Sequence, residues 1–531
     1  MPHNAPCGPA TLTYPSRPVT DILETVAPLR PAAVATRFLG HKLTYGELAA
    51  RARQFARRLD HLGLQPGDRV GLMLPNCPQF ILAAFGVLLA GGVIVNINPA
   101  FTPRELDLVL GDAAPRVLIT LDTLLPTVKA SARGGGVEHL ITTPLEAGPL
   151  AWTALTATTD DAPFEPRATA DDVAVLQYTG GTTGTPKAAM LSHRNLFANV
   201  VQSTVFMYGE PERFTDRYLL VIPMFHIYGF TIGMLRALWV GATITLLPKF
   251  DPAMMLREIR QQQPGYVPGV PTLYVALLGH PDLADARMGE VRAFHTGGAP
   301  CPIDLIERFE AATGRPLHEG YGMSEASPVI CSTPQTGPRK PGTVGVPLPG
   351  TDLKIVDLDT GEQVLPPGEA GELCVSGPQV MQGYWQQPEE TARTVRTDAS
   401  GRRWLYTGDI ARLDEDGYVT LVQRKKDVII VDAFNVYPSE VEEVLHAHPD
   451  VRMAAAFGVP DAYHGEVVRA SVVLSPGAQT TVTDLVAHCR RHLAPYKVPA
   501  GIDVRETLPM SAVGKVLYRV LRSEAAAPKA E

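Results

Sequence analysis

Apolar positions recur at three- and four-residue spacing along TYGELAARARQFARRLDHLG (Thr44–Gly63), where Leu48, Ala52, Phe55 and Leu59 share one face. Thr44 and Glu47 are spaced as a capping box and Gly63 as a stop, so a helix is predicted there. The apolar run RVGLML (Arg69–Leu74) reads as a buried strand. FILAAFGVLLAGGVIV (Phe80–Val95) carries no charge, but a membrane span needs roughly 20 apolar residues. The pair Gly91-Gly92 divides it, which predicts a core helix, a turn and a strand. Helical and strand-like runs then alternate to about residue 330, the pattern of α/β layers around mostly parallel sheet. Thr343–Asp416 changes to short β-like runs such as TDLKIVD and GELCVSG between Gly/Pro turns, which predicts a smaller β-rich subdomain. Beyond Arg424-Lys425-Lys426-Asp427, Ser439 and Glu442 are spaced to cap a helix, SEVEEVLHAH. Two strands (RMAAAFGV, EVVRASVVL) and a second helix (TDLVAHCRRHL) follow. The expected fold is α/β: a large N-terminal domain over 1–425, with layered α/β subdomains and the β-rich one, and a small α/β C-terminal domain over 426–531.

Composition narrows the function classes. At 531 residues the chain exceeds one core, and 45% hydrophobic with 19% charged residues is a globular composition. A net charge of −8 argues against nucleic acid as the main partner. Six cysteines (Cys7, Cys77, Cys301, Cys331, Cys374, Cys489) show no CxxC or zinc spacing and fit a reducing compartment. The start, MPHNAPCGPATLTYPSRP, has no basic segment leading into an apolar one, so no secretory signal is expected, and a cytoplasmic location is. No transmembrane segment is expected; peripheral membrane contact and a homodimer are both compatible with the sequence.

The chemistry-bearing text begins at YTGGTTGTPKAAM (Tyr178–Met190). Gly180, Gly181 and Gly184 let the backbone turn N–H groups toward an anion, Thr179, Thr182 and Thr183 add hydroxyl donors, and Lys187 adds a point charge. It is not a P-loop, because Pro186 precedes the lysine and Ala188 follows it. HTGGAP (His295–Pro300) puts a glycine turn after a strand, and HEGYGMSEAS (His318–Ser327) groups a ring, a hydroxyl and a carboxylate in Tyr321, Ser324 and Glu325. YTGD (Tyr406–Asp409) ends a strand with a carboxylate suited to ribose hydroxyls, and SAVGKVL (Ser511–Leu517) puts Lys515 on a glycine turn. Each is weak alone; their joint order across more than 330 residues is not accidental.

With PMFHIYG, GVPTLYVALL, GPQVMQGYW, LYTGDIARLDEDGY, RKKDVIIV, FNVYPSEVEEVL and LAPYKVP, these stretches make residues 20–525 resemble the adenylate-forming superfamily of acyl-CoA synthetases, luciferases and adenylation domains. The likeness is strongest to bacterial long-chain fatty-acid–CoA ligases. The resemblance implies ATP, Mg²⁺ and coenzyme A as reactants or cofactors, and a carboxylic acid as the small-molecule substrate. Thr179, Gly180, Gly181, Thr182, Thr183, Gly184 and Lys187 would hold the triphosphate, with Thr179 and Glu325 at the Mg²⁺ positions. Gly298, Ala299, Pro300, Glu319, Gly320, Tyr321, Gly322 and Met323 would form the nucleotide site, and Ser324 would touch the α-phosphate. Asp409 and Arg424 would hold the ribose. Lys515 would bridge the substrate carboxylate and α-phosphate, with Glu325 and His226 as its catalytic companions. His226, Ile227, Gly229 and Val270 would bound the acyl pocket, Lys426 would be the hinge of a mobile C-terminal domain, and Ala433 and Phe434 would line the passage for CoA. A lone histidine among apolar neighbours is otherwise an ordinary core residue, and His193 is expected to be one.

The implied reaction converts a fatty acid, ATP and CoA to acyl-CoA, AMP and pyrophosphate, with a medium- or long-chain acid favoured. An aryl- or short-chain acid–CoA ligase and a fatty acyl–AMP ligase loading a carrier protein stay open. The sequence departs from the family pattern at Ser324 (more often Thr), Ala188 (Gly), Gln423 (Asp or Gly) and above all Ala433 (Gly), with Asp432 beside it. A methyl group and a charge at the last two positions bear on the thioester step rather than on adenylation.

Overall fold

The computed structural model describes residues 12–145, 155, 164–179, 187–209, 212–432, 434–461, 463–511 and 516–526. Helix Tyr45–His61 carries the expected Thr44–Glu47 capping box and buries Leu48, Ala52, Phe55 and Leu59. Phe80–Val95 divides as predicted, into helix Pro78–Leu89, buried along its whole length, and strand Val93–Asn96. The two helices touch closely: a Cβ on Gly86 would lie 2.6 Å from the Phe55 ring and 3.1 Å from the Ala52 carbonyl oxygen. Only glycine allows that approach.

Two sheets flank this helical layer and share one hydrophobic core. The first has seven strands, with Val173–Thr179, Val93–Asn96, Arg69–Met73, Val117–Leu121 and His139–Thr143 running parallel in that spatial order. Its other edge adds Lys187–Ser192 and then Gly383–Tyr384, both antiparallel. The second has nine strands, whose parallel centre includes Tyr266–Gly269, Ala293–Gly297 and Leu317–Gly322. A five-stranded antiparallel sheet over 352–424 is the expected β-rich subdomain. A fourth sheet, of five strands over 429–504, carries helices Pro438–His446 and Val482–His492 in the small C-terminal domain.

One local expectation is corrected. Ser439 and Glu442 do not form a capping box, and the helix starts at Pro438 without a side-chain cap. The Ser439 hydroxyl donates instead to the Val422 carbonyl. Glu442 is buried and accepts from the Ala456 N–H (2.8 Å) and the Tyr518 hydroxyl (2.9 Å), and burial pushes its carboxyl up to about 7. Tertiary partners outcompete the local motif.

Candidate active site

The hairpin of Val173–Thr179 with Lys187–Ser192 brings Thr179 and Lys187 into register as cross-strand partners. The Thr179 hydroxyl donates to the Lys187 carbonyl at 3.3 Å. The hairpin's tip, with Gly180, Gly181, Thr182, Thr183 and Gly184, lies outside the described residues. The Lys187 ammonium pairs with the Glu390 carboxylate and stands 5.6 Å from the Tyr384 ring centroid. Because Gly383–Tyr384 extends the same sheet edge, the Tyr384 hydroxyl reaches Glu325 Oε1 and donates to it at 2.8 Å. Glu325 is buried in a short helical turn whose backbone is held by Met381 N–H donating to its carbonyl at 2.8 Å.

Strands Ala293–Gly297 and Leu317–Gly322 run parallel, with Gly297 opposite Gly320. A Cβ on Gly297 would sit 3.0 Å from the Gly320 carbonyl oxygen, and Gly298 turns the chain at φ +81°. These glycines leave a flat backbone slot beside Ala299, Pro300, Gly322, Met323 and Ser324, all on one cleft. Glu319 on the same strand accepts from the Cys301 N–H at 3.2 Å, and burial pushes its carboxyl up to about 8. The Tyr321 hydroxyl donates to Asp409 Oδ2 at 2.6 Å, and Arg424 Nε approaches Asp409 Oδ1 at 3.2 Å. Asp409 and Arg424 are cross-strand neighbours, and the carboxylate holds the Arg424 guanidinium above its usual range.

The third wall starts at His226. Asn76 fixes the preceding loop, accepting from Met224 N–H at 2.8 Å and donating to the Ile222 carbonyl at 3.0 Å. Tyr228 N–H donates to His226 Nδ1 at 3.3 Å, which orients the imidazole. His226 and Ile227 line the cleft, followed by Tyr228, Ile232 and Arg236. Gly229 is backed onto the Pro223 carbonyl, 2.1 Å from where a Cβ would stand, and Val270 packs into the core; neither faces the cleft. His193 accepts from Val19 N–H at 3.2 Å and is buried, which pushes its pKa down to about 4; this is the core role expected of it.

From the small domain, Ser439, Glu443 and His446 face the same cleft, as do Ser511 and Val516, which flank the segment with Lys515. Lys515 itself and Ala433 lie outside the described residues. Lys426 lines the cleft, and burial followed by Arg424 beside it holds its ammonium below the ordinary value. Phe434 does not face the cleft; it is half-exposed and stacks on Tyr496 at 4.8 Å. Sequence reasoning gave no role to Tyr384, Glu390 or Arg236. Arg236 had a visible signal: it is the only charge in GFTIGMLRALWVG.

Among the described residues no three His, Cys, Asp or Glu side chains group as a metal cage. Glu325, a buried carboxylate, lines the same cleft as Thr179. That donor set suits Mg²⁺, which retains waters and takes one or two carboxylates together with phosphate oxygens.

The model of the AMP-binding enzyme family matches residues 23–385, and that of the AMP-binding enzyme C-terminal domain matches 440–515. The chain is 41% identical to a long-chain-fatty-acid–CoA ligase of Bacillus subtilis, over 97% of its own length and 96% of the relative's. It is 39% identical to a feruloyl-CoA synthase of Amycolatopsis, over 93% and 96%. Among solved structures, ATP-bound MatB from Rhodopseudomonas palustris is 33% identical and superposes with a TM-score of 0.87, covering 95% of this chain and 98% of that one. The apo form of MatB, at the same identity, gives 0.77.

Proposed function

The chain belongs to the AMP-binding, adenylate-forming enzyme family and is an acid–CoA ligase, and on that premise we propose how its residues divide the reaction. In the first step a substrate carboxylate oxygen attacks the α-phosphorus of ATP, and the bond to the β-phosphate breaks to release pyrophosphate. In the second, the sulfur of CoA attacks the acyl carbon, AMP leaves, and the thiol proton is released. The Thr179–Lys187 hairpin receives the triphosphate, with Lys187 exchanging Glu390 for phosphate oxygens. Tyr321, Asp409 and Arg424 hold the ribose, and the Gly297–Ala299 and Gly320–Gly322 slots take the base. Glu325, held by Tyr384, would supply the carboxylate for Mg²⁺, and the bound ion would offset negative charge on the phosphates. His226 stands where the substrate carboxylate enters, and Lys515 is delivered by the small domain.

The observation that carries this reading is the cleft that Thr179, Lys187, Glu325, Asp409 and Arg424 line together with Ser511 and Val516 of the small domain. The better superposition on ATP-bound than on apo MatB supports a domain arrangement suited to the first step. A medium- or long-chain fatty acid is the substrate favoured by the fatty-acid relatives. An aryl acid is the second reading, favoured by the aromatic rings of Tyr228 and Tyr266 on the wall beyond His226. The deciding assay is AMP release across acids of graded length and aromaticity, with and without CoA. AMP release that requires both acid and CoA is expected. Release that proceeds to full turnover without CoA would transfer the second step to another acceptor.

A further inference from the structure

The wall beyond His226 ends in a buried charge. Tyr228–Leu235 is a π-helix, followed directly by the α-helical turn Arg236–Trp239. A π-turn takes more than four residues, so side chains four apart stay close to one face. Tyr228, Ile232 and Arg236 accordingly all line the cleft. Eight residues separate Tyr228 from Arg236, which at α-helical rise is roughly 12 Å, an upper bound for the wider turns.

Arg236 is 3% exposed. Its Nε donates to the Tyr218 hydroxyl at 3.2 Å, and its guanidinium carbon lies 4.4 Å from the Tyr266 ring centroid. Nη2 is buried and has no hydrogen-bond partner. Asp216, the carboxylate beside Tyr218, is already taken: it pairs with Arg292, accepts from Tyr208 at 2.8 Å, and accepts from the Arg217 N–H at 2.8 Å. A guanidinium stays charged at any accessible pH, and burying it with donors unmet is unfavourable. The two tyrosine faces and a hydrogen bond with Tyr266 offset part of that cost, and Nη2 alone is left without a partner. A pocket made only for hydrocarbon would be better filled by leucine or methionine at this position.

We propose that Arg236 is a specificity-determining residue for an acid whose end remote from the carboxylate carries a hydrogen-bond-accepting oxygen. That oxygen binds Nη2 while the intervening ring or chain lies along the wall that Tyr228 and Ile232 line. A ring hydroxyl or methoxyl on an aryl acid and the terminal carboxylate of an alkanedioic acid share this chemistry. The proposal rests on the acid–CoA ligase reading for the position of the carboxylate at His226.

The test uses three size-matched arms: a plain alkanoate, an alkanedioate and a hydroxylated arylpropenoate. Each is measured by calorimetric binding to the full chain with Mg-ATP analogue present, and by kcat/KM for acyl-CoA formation. A hydrogen bond to a charged group predicts a preference of roughly 10- to 100-fold for one or both oxygenated arms, and which arm wins identifies the source. Arg236→Leu should erase that preference while binding the plain alkanoate as well or better, and Arg236→Lys should keep part of it. Should Arg236→Leu fail to fold, the wild-type preference and Arg236→Lys still decide. Equal or tighter wild-type binding of the plain alkanoate overturns the proposal. Oxygenated acids that bind preferentially without forming acyl-CoA would uphold Arg236 and overturn the ligase reading instead.

Discussion

The Tyr321 hydroxyl donates to Asp409 Oδ2 at 2.6 Å, joining the second parallel sheet to the β-rich subdomain across 88 residues of sequence. Arg424 meets the other carboxylate oxygen at 3.2 Å, so Asp409 sits fully oriented before any nucleotide arrives. If this carboxylate holds the ribose, Asp409→Asn weakens a charge-assisted interaction and raises KM for ATP by roughly 10- to 100-fold. Tyr321→Phe removes only the orienting bond and should raise it less. An unchanged KM for ATP in a folded Asp409→Asn enzyme would remove the residue from the nucleotide site.

Glu325 and Tyr384 give a second test. A lone carboxylate in a phosphate site is favourable only when a cation offsets its repulsion of ATP. Glu325→Gln should therefore lose roughly 10²-fold or more in kcat and shift the Mg²⁺ titration to higher concentration. Tyr384→Phe keeps the charge and frees one oxygen, so its loss should be smaller and restored by added Mg²⁺. Wild-type rate for Glu325→Gln at limiting Mg²⁺ would defeat the metal assignment.

The pairing of Lys187 with Glu390 spans 203 residues, and that of Glu325 with Tyr384 spans 59. Such distances explain what was legible in the sequence. Periodicity is local, so Tyr45–His61, the split of Phe80–Val95 and the alternation giving parallel sheet could all be read directly. The order of the motifs placed Thr179, Lys187, Glu325, Asp409 and Arg424, which the fold brings onto one cleft. Tyr384 and Glu390 could not be read, because their roles arise only when Gly383–Tyr384 joins the edge at Lys187–Ser192. Ser439 and Glu442 misled for the converse reason: their spacing is that of a cap, but burial beside Tyr518 and Val422 gives both side chains other partners.

Asp432 sits in left-handed backbone at φ 50°, next to the position of Ala433, and its carboxylate meets His464 Nδ1 at 2.8 Å. The hydrogen bond that His464 donates to Asp432 raises the imidazole pKa, with Asp461 adding to it. A histidine raised in the folded state contributes fully below its unfolded value of about 6.5, and the contribution is lost as pH rises through the raised pKa. If this pair orders the loop for CoA, the advantage of wild type over His464→Gln in the thioester half-reaction should be largest below about pH 6.5 and shrink above it. Taking the ratio cancels the pH dependence of the CoA thiol itself. A ratio that is flat with pH would leave the pair without a part in that step.

If the half-reactions alternate by rotation of the small domain, Lys515 is the residue that tests it. Its neighbours Ser511 and Val516 face the cleft, whereas Phe434, on the loop expected to guide CoA, points away from it and stacks on Tyr496. If the loop at Phe434 guides CoA, the small domain must rotate to bring it to the acyl carbon. An ammonium aimed at charge developing as acyl-AMP forms could contribute a rate factor of roughly 10²–10³. Lys515→Ala should lose that factor in making acyl-AMP from acid and ATP. Given preformed acyl-AMP and CoA, the same preparation should form acyl-CoA at close to the wild-type rate, because the lysine has been carried out of the site by then. Equal loss in both half-reactions of a folded variant would refute the alternation, and retention of both would strike Lys515 from the catalytic residues.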